Sequence, residues 1–214
     1  MYDEDAWLKY PHHHNWFNKL YVAEQMGYDC GPCGFAPSKS NYYIVRPIYN
    51  LGGMGVGTSV QYIEADDYTM VPPGYFWCEI LLGKQYSATY EFVHGGLSDG
   101  KPYWKPISCW VGEKAPGSFS KFTKWSRSTY VPEVPRAFNV LSDVKRINVE
   151  FKANSPFEVH LRDTPDPDYD ELIPIWADDP KQVEALLDQG YHYIDSFDNS
   201  NGFLKPARLG FMVK

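Results

Sequence analysis

Cysteine is scarce in this chain, with four in 214 residues. Only Cys30-Gly-Pro-Cys33 forms a close pair; Cys78 and Cys109 stand singly inside apolar runs, so no second pair sits at metal-ligand spacing. Cys-x-x-Cys is the wording of thiol redox centres, where the first cysteine opens a helix after a strand and the helix N-terminus stabilises its thiolate. Here the order is reversed. A helix is expected before the pair in "NWFNKLYVAEQMG", with Trp16, Leu20 and Ala23 on one face, Asn15 as N-cap and Gly27 as C-cap. A Pro/Ser turn and the strand-like "YYIVRPI" follow it. A redox couple is therefore not expected. The remaining alternatives are a zinc site completed by His12, His13 and His14, or a plain loop pair in a reducing compartment.

Long apolar runs are also missing. None approaches the roughly 20 residues of a membrane span, and "MYDEDAWLKY" lacks the charged-then-apolar order of a leader, so a cytoplasmic protein is expected. Basic residues are in deficit. A net charge of −7 argues against a nucleic-acid partner over the whole surface, leaving "KFTKWSR" at 121–127 as a local candidate groove. The chain carries no internal repeat and no low-complexity tract. What it does carry is 43% hydrophobic residues, enough to bury a core as one large domain or two small lobes. Aromatic residues reach 17%, which suits packing on pleated sheets.

Strands are expected over 42–48, 58–63, 75–82, 86–94, 102–111, 146–152 and 157–162, with turns at "SDG" (98–100) and "KANSP" (152–156). Residues 113–142 are polar and carry Pro and Gly, and read as a long mobile loop with a short helix. A further helix is expected in "DPKQVEALLDQG", with Asp179 as cap, Pro180 in the first turn, Gln182 closing a capping box and Gly190 as the stop. The class is α+β.

Two segments are suited to chemistry. The strand over 42–48 carries Arg46 and runs into "YNLGGMGVGTSV", where Gly52, Gly53, Gly55 and Gly57 let several N–H groups converge on an anion beside a cation. It lacks the Gly-Lys-Ser/Thr ending of a Walker loop, and a flexible hairpin tip is the plain alternative. Near the other end, "RINVEF" and "FEVHLR" form a hairpin. Alternation puts Arg146, Asn148 and Glu150 on one face of its first strand, and Glu158, His160 and Arg162 on one face of its second. Burying such a set without a ligand is costly, so a cleft is expected; carboxylates with an amide or imidazole suit Mg²⁺ or Mn²⁺ carrying a nucleotide's phosphates. The plain alternative is a solvated ion-pair face.

In this order along the chain, over about residues 15–165, the segments resemble the ATP-grasp superfamily. "FNKL" is similar to the opening of the family's first helix, with Lys19 at the phosphate-contacting lysine and Asn18 where Asp is common. "YIVRPIYNLGGMGVG" resembles its second strand and Gly-rich loop, with Arg46 in place of the usual lysine. "FWCEILLGKQYSATYEF" resembles the hinge, which implies Glu79 and the backbone near Leu81 against adenine, and Gln85 where a ribose-binding Glu is usual. "FEVHLR" resembles the metal strand Glu-x-Asn-x-Arg: Glu158 and Arg162 match, His160 replaces Asn, and either Asn148 or Glu150 completes the metal side.

The resemblance implies a two-lobed unit over 1–165, with lobes at about 15–75 and 76–165, and 166–214 as a C-terminal extension packed on it. The family's preceding substrate domain is not expected, since only about 15 residues precede the first helix. The implied activity is an ATP- and Mg-dependent ligase that activates a small-molecule or peptide carboxylate as an acylphosphate for attack by an amine. Lys19, Arg46, Gly52, Gly53 and Gly55 would hold phosphates, and Arg146 or Arg162 would stabilise charge on the transferred group. No Ser-His-Asp or Cys-His signature is needed for this chemistry. Arg46, Gln85 and His160 depart from the usual pattern, so a non-catalytic nucleotide- or partner-binding protein of the same fold is the alternative.

Overall fold

The computed structural model describes residues 2–49, 55–95, 101–199, 202 and 204–214. The expected turn at 98–100 lies outside them. The strands of the described residues form two antiparallel sheets. The smaller contains β1 (Cys30–Pro32), β2 (Asn41–Pro47), β3 (Ser59–Ile63) and β4 (Tyr75–Cys78) in the order β1-β4-β2-β3. The larger contains β5 (Gln85–Val93), β6 (Tyr103–Lys114), β7 (Phe122–Arg127), β8 (Arg146–Lys152), β9 (Ser155–His160), β10 (Glu171–Trp176), β11 (His192–Asp198) and β12 (Arg208–Val213). Its order is β11-β12-β10-β7-β6-β5-β8-β9. Helices are few: α1 (Asp3–Lys9), α2 (Lys19–Gln25), α3 (Gln182–Leu187) and 3-10 turns over Pro11–Phe17 and Arg136–Leu141. The fold is α+β, as expected.

All seven expected strands form, the one over 146–152 with both ends as expected and the others with shifted ends. The strand expected over 75–82 stops at Cys78, because Glu79 to Lys84 is the passage from the small sheet to the large one. Gly83 sits there at φ +108°, where a Cβ would come within 2.9 Å of the Ala153 Cβ. Helix α2 begins later than expected: residues 11–17 coil as the tighter 3-10 form, and Asn18, not Asn15, is the N-cap, accepting from Tyr21 N–H at 3.0 Å. Gly27 ends it at φ +73°, with Tyr28 N–H donating to Ala23 C=O at 3.1 Å, as a left-handed cap requires.

Three expectations are corrected. Only half of the cysteine pair is in a loop: Cys33 lies in a turn, but Cys30 belongs to the edge strand Cys30–Pro32 paired with β4, and burial pushes its thiol up to about 11. The stretch 113–142 is not a long loop, because β7 is paired on both sides, with β6 and β10. Its cations form no open basic groove. Lys121 pairs with Asp178 (2.8 Å), Lys124 with Glu171, and Arg127 with Asp168 (2.5 Å) and Asp170 (3.1 Å), acids supplied by the following segment. Helix α3 is also shorter than expected and lacks the side-chain cap, since its N-cap is Lys181, which has no side-chain acceptor, and not Asp179.

Residues 171–213 continue the large sheet through β10, β12 and β11. The main core lies on one face of this sheet. Ile147, Val149 and Phe151 of β8, with Val159 of β9 and Leu161 beyond it, pack there against Ala6, Trp16, Val22, Phe138 and Leu141. The intervening residues therefore point the other way, into the space between the sheets. No helix of the described residues is long and apolar enough to cross a membrane.

Candidate active site

The two sheets enclose a cleft of about 1480 Å³. Period-2 alternation places Asn148, Glu150 and Lys152 of β8 on its wall, together with Glu158 and His160 of β9 and Arg162 beyond it. The ladder sets Glu150 opposite Glu158 and Asn148 opposite His160. Directly opposed carboxylates repel, so a cation between them is favoured. Burial, and after it the Glu158 charge, pushes the Glu150 carboxyl above the usual range. Gln85, from the start of β5, donates to Glu150 Oε2 at 2.5 Å. Asn148 is deeper: its amide is 3.1 Å from Ser87 Oγ and 3.3 Å from Thr89 Oγ1.

Cations enter from the small sheet and α2. Lys19, in the first turn of α2, lies with Nζ 3.2 Å from Glu158 Oε2. Burial depresses its pKa, with Glu158 pulling the other way. Arg46 on β2 is buried between the rings of Phe76 and Phe157, and its Nη2 donates to the Phe157 carbonyl at 2.9 Å. Its Nε, like Gln85 Oε1, is buried and has no hydrogen-bond partner among the described residues. Glu79 and Leu81, in the passage between the sheets, line the same cleft, and Glu79 Oε1 accepts from Asp29 N–H at 3.1 Å. Gly55 lines it too, at φ +69°, with the Phe119 carbonyl 3.0 Å from where a Cβ would stand. Gly52 and Gly53 lie outside the described residues.

The structure does not bring Arg146 to this set. Its Nη1 donates to Asp163 at 2.7 Å and its Nε lies 3.6 Å from Glu91, beside a separate cavity of about 270 Å³. It stands at the start of β8, where acids on neighbouring segments capture it. The histidine run is dispersed: His13 pairs with Asp143 at 2.7 Å, and His14 stacks on Trp7 with ring centroids 3.6 Å apart.

Several cleft residues escaped the sequence reading. Lys152 lies on the same alternation as Asn148 and Glu150, a signal that was available. Lys114, at the end of β6, has its pKa brought down to about 8, mainly by burial and then by Lys152. Asp3 carried no signal, being one of three acids in "DED". Its carboxylate receives Arg162 Nε at 2.7 Å and Nη2 at 3.2 Å, and stands 3.0 Å from His160 Nδ1. Burial alone would raise the Asp3 carboxyl, but His160 and Arg162 outweigh it and hold it well below the usual range.

Buried cations on one wall and paired carboxylates on the other can hold a polyanion together with a divalent cation. Arg46 and Gln85 line the cleft, and each holds a buried polar atom, Nε and Oε1, without a hydrogen-bond partner among the described residues. Two carboxylates are the complement Mg²⁺ takes from protein when phosphates and water supply its remaining positions. Neither a protein-family model nor a curated protein sequence matches the chain. Among solved structures, N5-carboxyaminoimidazole synthetase from Staphylococcus aureus is similar, with TM-score 0.50 and 12% identity over 92% of this chain and 66% of its own. L-amino acid ligase from Bacillus licheniformis gives TM-score 0.44 and 13% identity over 69% and 41%. An ATP-grasp superfamily protein from Archaeoglobus fulgidus gives 0.35 and 15% over 70% and 46%. The chain thus spans less than two thirds of each of these proteins, and at such identity the likeness concerns architecture alone. That architecture, two antiparallel sheets closing on a charged cleft, is the α+β ATP-grasp-like fold.

Proposed function

We propose that this chain is an ATP- and metal-dependent ligase that activates a carboxylate by phosphoryl transfer so that an amine can attack it. The observation that carries the reading is the convergence of Lys19 and Arg46 with Glu150 and Glu158 on one cleft, where Lys19 already pairs with Glu158. Lys19 and Arg46 would hold the α- and β-phosphates, and Glu150 and Glu158 a Mg²⁺ or Mn²⁺ ion, with His160 beside them. The backbone near Leu81 and the side chains of Glu79 and Gln85 would face the nucleoside. Bound ATP supplies the phosphoryl group that turns the acid's oxygen into a leaving group. The chain's part is positioning and charge neutralisation, which is the larger share of phosphoryl-transfer catalysis. Arg162, which lines the cleft with its guanidinium held by Asp3, would neutralise charge on the transferred group; Arg146, held by Asp163 and Glu91 away from the cleft, is not used.

Calorimetry with a non-hydrolysable ATP analogue and either metal tests binding, and coupled ADP release against a panel of amino acids and small peptides tests turnover. Turnover is expected to need a carboxylic acid and to fall about 100-fold or more in Glu158→Gln, since lost metal-centred charge stabilisation is worth several kcal/mol. If the analogue binds yet no acid elicits ADP above the variant's background, the ligase reading fails and a nucleotide-binding protein of this fold replaces it.

A further inference from the structure

We infer that Lys114 and Lys152 form a second phosphate site in the cleft; its place, beside the sugar of a bound nucleotide, rests on the nucleotide reading given above. In that reading the base lies against Glu79 and Leu81, and the sugar comes beside Gln85, where the chain enters β5. A carboxylate at such a position accepts from free sugar hydroxyls and repels a phosphate, whereas a cation favours the phosphate. Gln85 lacks the charge that the resemblance leads one to expect here, and lysines stand on both sides of it. Lys152 is its direct partner across the β5–β8 ladder. Toward β6 its partner is Gly112, and Lys114 follows two residues later on the same face. Both lysines line the cleft. The phosphate chain of the nucleotide goes to Lys19 and Arg46, so these two cations are additional to it.

The protein answers the two charges only in part. Lys114 Nζ donates to the Phe119 carbonyl at 2.6 Å and lies 4.7 Å from the centroid of the Phe122 ring. No carboxylate among the described residues comes within ion-pair reach of either ammonium. Glu150 attracts both from farther away, and its Oε2 accepts from Gln85 at 2.5 Å. The lysines meanwhile repel each other, since Lys152 is second only to burial in holding the Lys114 pKa down, at about 8. Like charges drawn together inside a cleft destabilise the ligand-free protein, and an anion between them removes that cost. A phosphomonoester, with about two negative charges spread over its acceptor oxygens, matches a pair of ammonium groups. It belongs either to the nucleotide's own sugar or to a separate small molecule.

The test titrates inorganic phosphate, by calorimetry, into protein saturated with the non-hydrolysable ATP analogue and Mg²⁺, so that Lys19 and Arg46 are already occupied. Phosphate should bind wild type and weaken roughly 10-fold or more in Lys114→Gln/Lys152→Gln, the usual worth of charge-assisted contacts. Affinity for the analogue should change by less than about threefold. AMP, adenosine 2′,5′-bisphosphate and adenosine 3′,5′-bisphosphate, compared without the analogue, then locate the source. A bisphosphate preferred over AMP by roughly 10-fold or more, with the preference lost in the double variant, puts the phosphate on the nucleotide's own sugar. Equal affinity for all three, with inorganic phosphate bound beside the analogue, puts it on a separate phosphorylated molecule. Phosphate binding that survives the double variant overturns the inference, as does no phosphate binding together with no preferred bisphosphate. An analogue weakened as much as phosphate also overturns it, because the lysines then hold the ATP phosphates. If the analogue does not bind while phosphate still depends on the two lysines, the nucleotide reading fails and the phosphate site stands. Should the double variant not fold, Lys152→Gln alone, which leaves the Lys114 contacts in place, carries the same comparison.

Discussion

Glu158→Gln removes one charge from the cleft with almost no change of shape. In the ligand-free protein Lys19 Nζ is 3.2 Å from Glu158, with the two side chains only 9% and 16% exposed. At this separation and an effective dielectric constant of about 20, the attraction is about 5 kcal/mol, most of which offsets the cost of taking both charges out of water. Deleting the carboxylate leaves the Lys19 cost unopposed, with Arg46 repelling it and Glu150 the weaker attraction that remains. Breaking a buried pair costs about 3–5 kcal/mol. Attraction to Glu150, and the readiness of a buried lysine to lose its proton, set the expected loss at the lower end, about 3 kcal/mol. Urea unfolding measures it. The Lys19→Met/Glu158→Gln double variant should recover most of the loss, giving a coupling of at least about 2 kcal/mol. A single variant within about 0.5 kcal/mol of wild type, or an additive double variant, refutes the reasoning. A second arm connects stability to function. Phosphates of the metal-free ATP analogue can replace Glu158 as the partner of Lys19, so Glu158→Gln should gain more stability from that ligand than wild type does. An equal or smaller gain would mean that Lys19 does not face the phosphates.

Glu150 offers the opposite sign. Its carboxyl is raised by burial and by Glu158, so the native state binds the proton more tightly than the unfolded chain, and stability is lost as pH rises above the ordinary value of about 4.3. Glu150→Gln, which can still accept from Gln85, should therefore melt higher than wild type near pH 7 and equal it near pH 4; no gain at the higher pH would contradict this. Cys30, with its thiol pushed up to about 11 by burial, should alkylate far more slowly than free cysteine at neutral pH when followed by mass spectrometry, and insulin-reduction activity lost in Cys30→Ser would contradict the assignment. Gly83→Ala forces a side chain into φ +108° and against Ala153, and should cost about 2 kcal/mol or more in urea unfolding; a neutral result would mean the passage between the sheets can relax.

Local pattern carried the hairpin of β8 and β9 almost entirely, because its two faces see different media. Ile147, Val149 and Phe151 go to the core, while Asn148 and Glu150 go to the cleft, and a period of two residues is visible without any knowledge of neighbours. Arg146 fits the same pattern yet leaves the site, since Asp163 and Glu91 meet it first, and such partners are set by tertiary approach. Strand β7 was hidden for a related reason. Its lysines and arginine read as a solvated loop or a basic groove, and only pairing with β10 brings Glu171, Asp168 and Asp170 against them. Asp3 was the least legible. A seven-residue helix has little periodicity to show, and the value of its carboxylate comes from contacts 157 and 159 residues away in sequence.

The departures from the usual motif pattern make physical sense once β9 is seen as the edge of the large sheet. An edge strand has backbone groups in want of partners, and the small lobe supplies them: Arg46 donates to the Phe157 carbonyl at 2.9 Å and Tyr28 Oη to the Pro156 carbonyl at 3.0 Å. A lysine at position 46 could bring the charge but not the flat group that lies between the Phe76 and Phe157 rings, with its centre 5.1 and 5.3 Å from their centroids. Arginine brings both, so the cation that faces the cleft also fastens the lobes that form it. His160 follows the same logic on the opposite wall, where its ring reaches Asp3 on one side and Glu158 on the other, joining the N-terminal helix to the carboxylate pair. At both positions the side chain makes contacts on two sides at once.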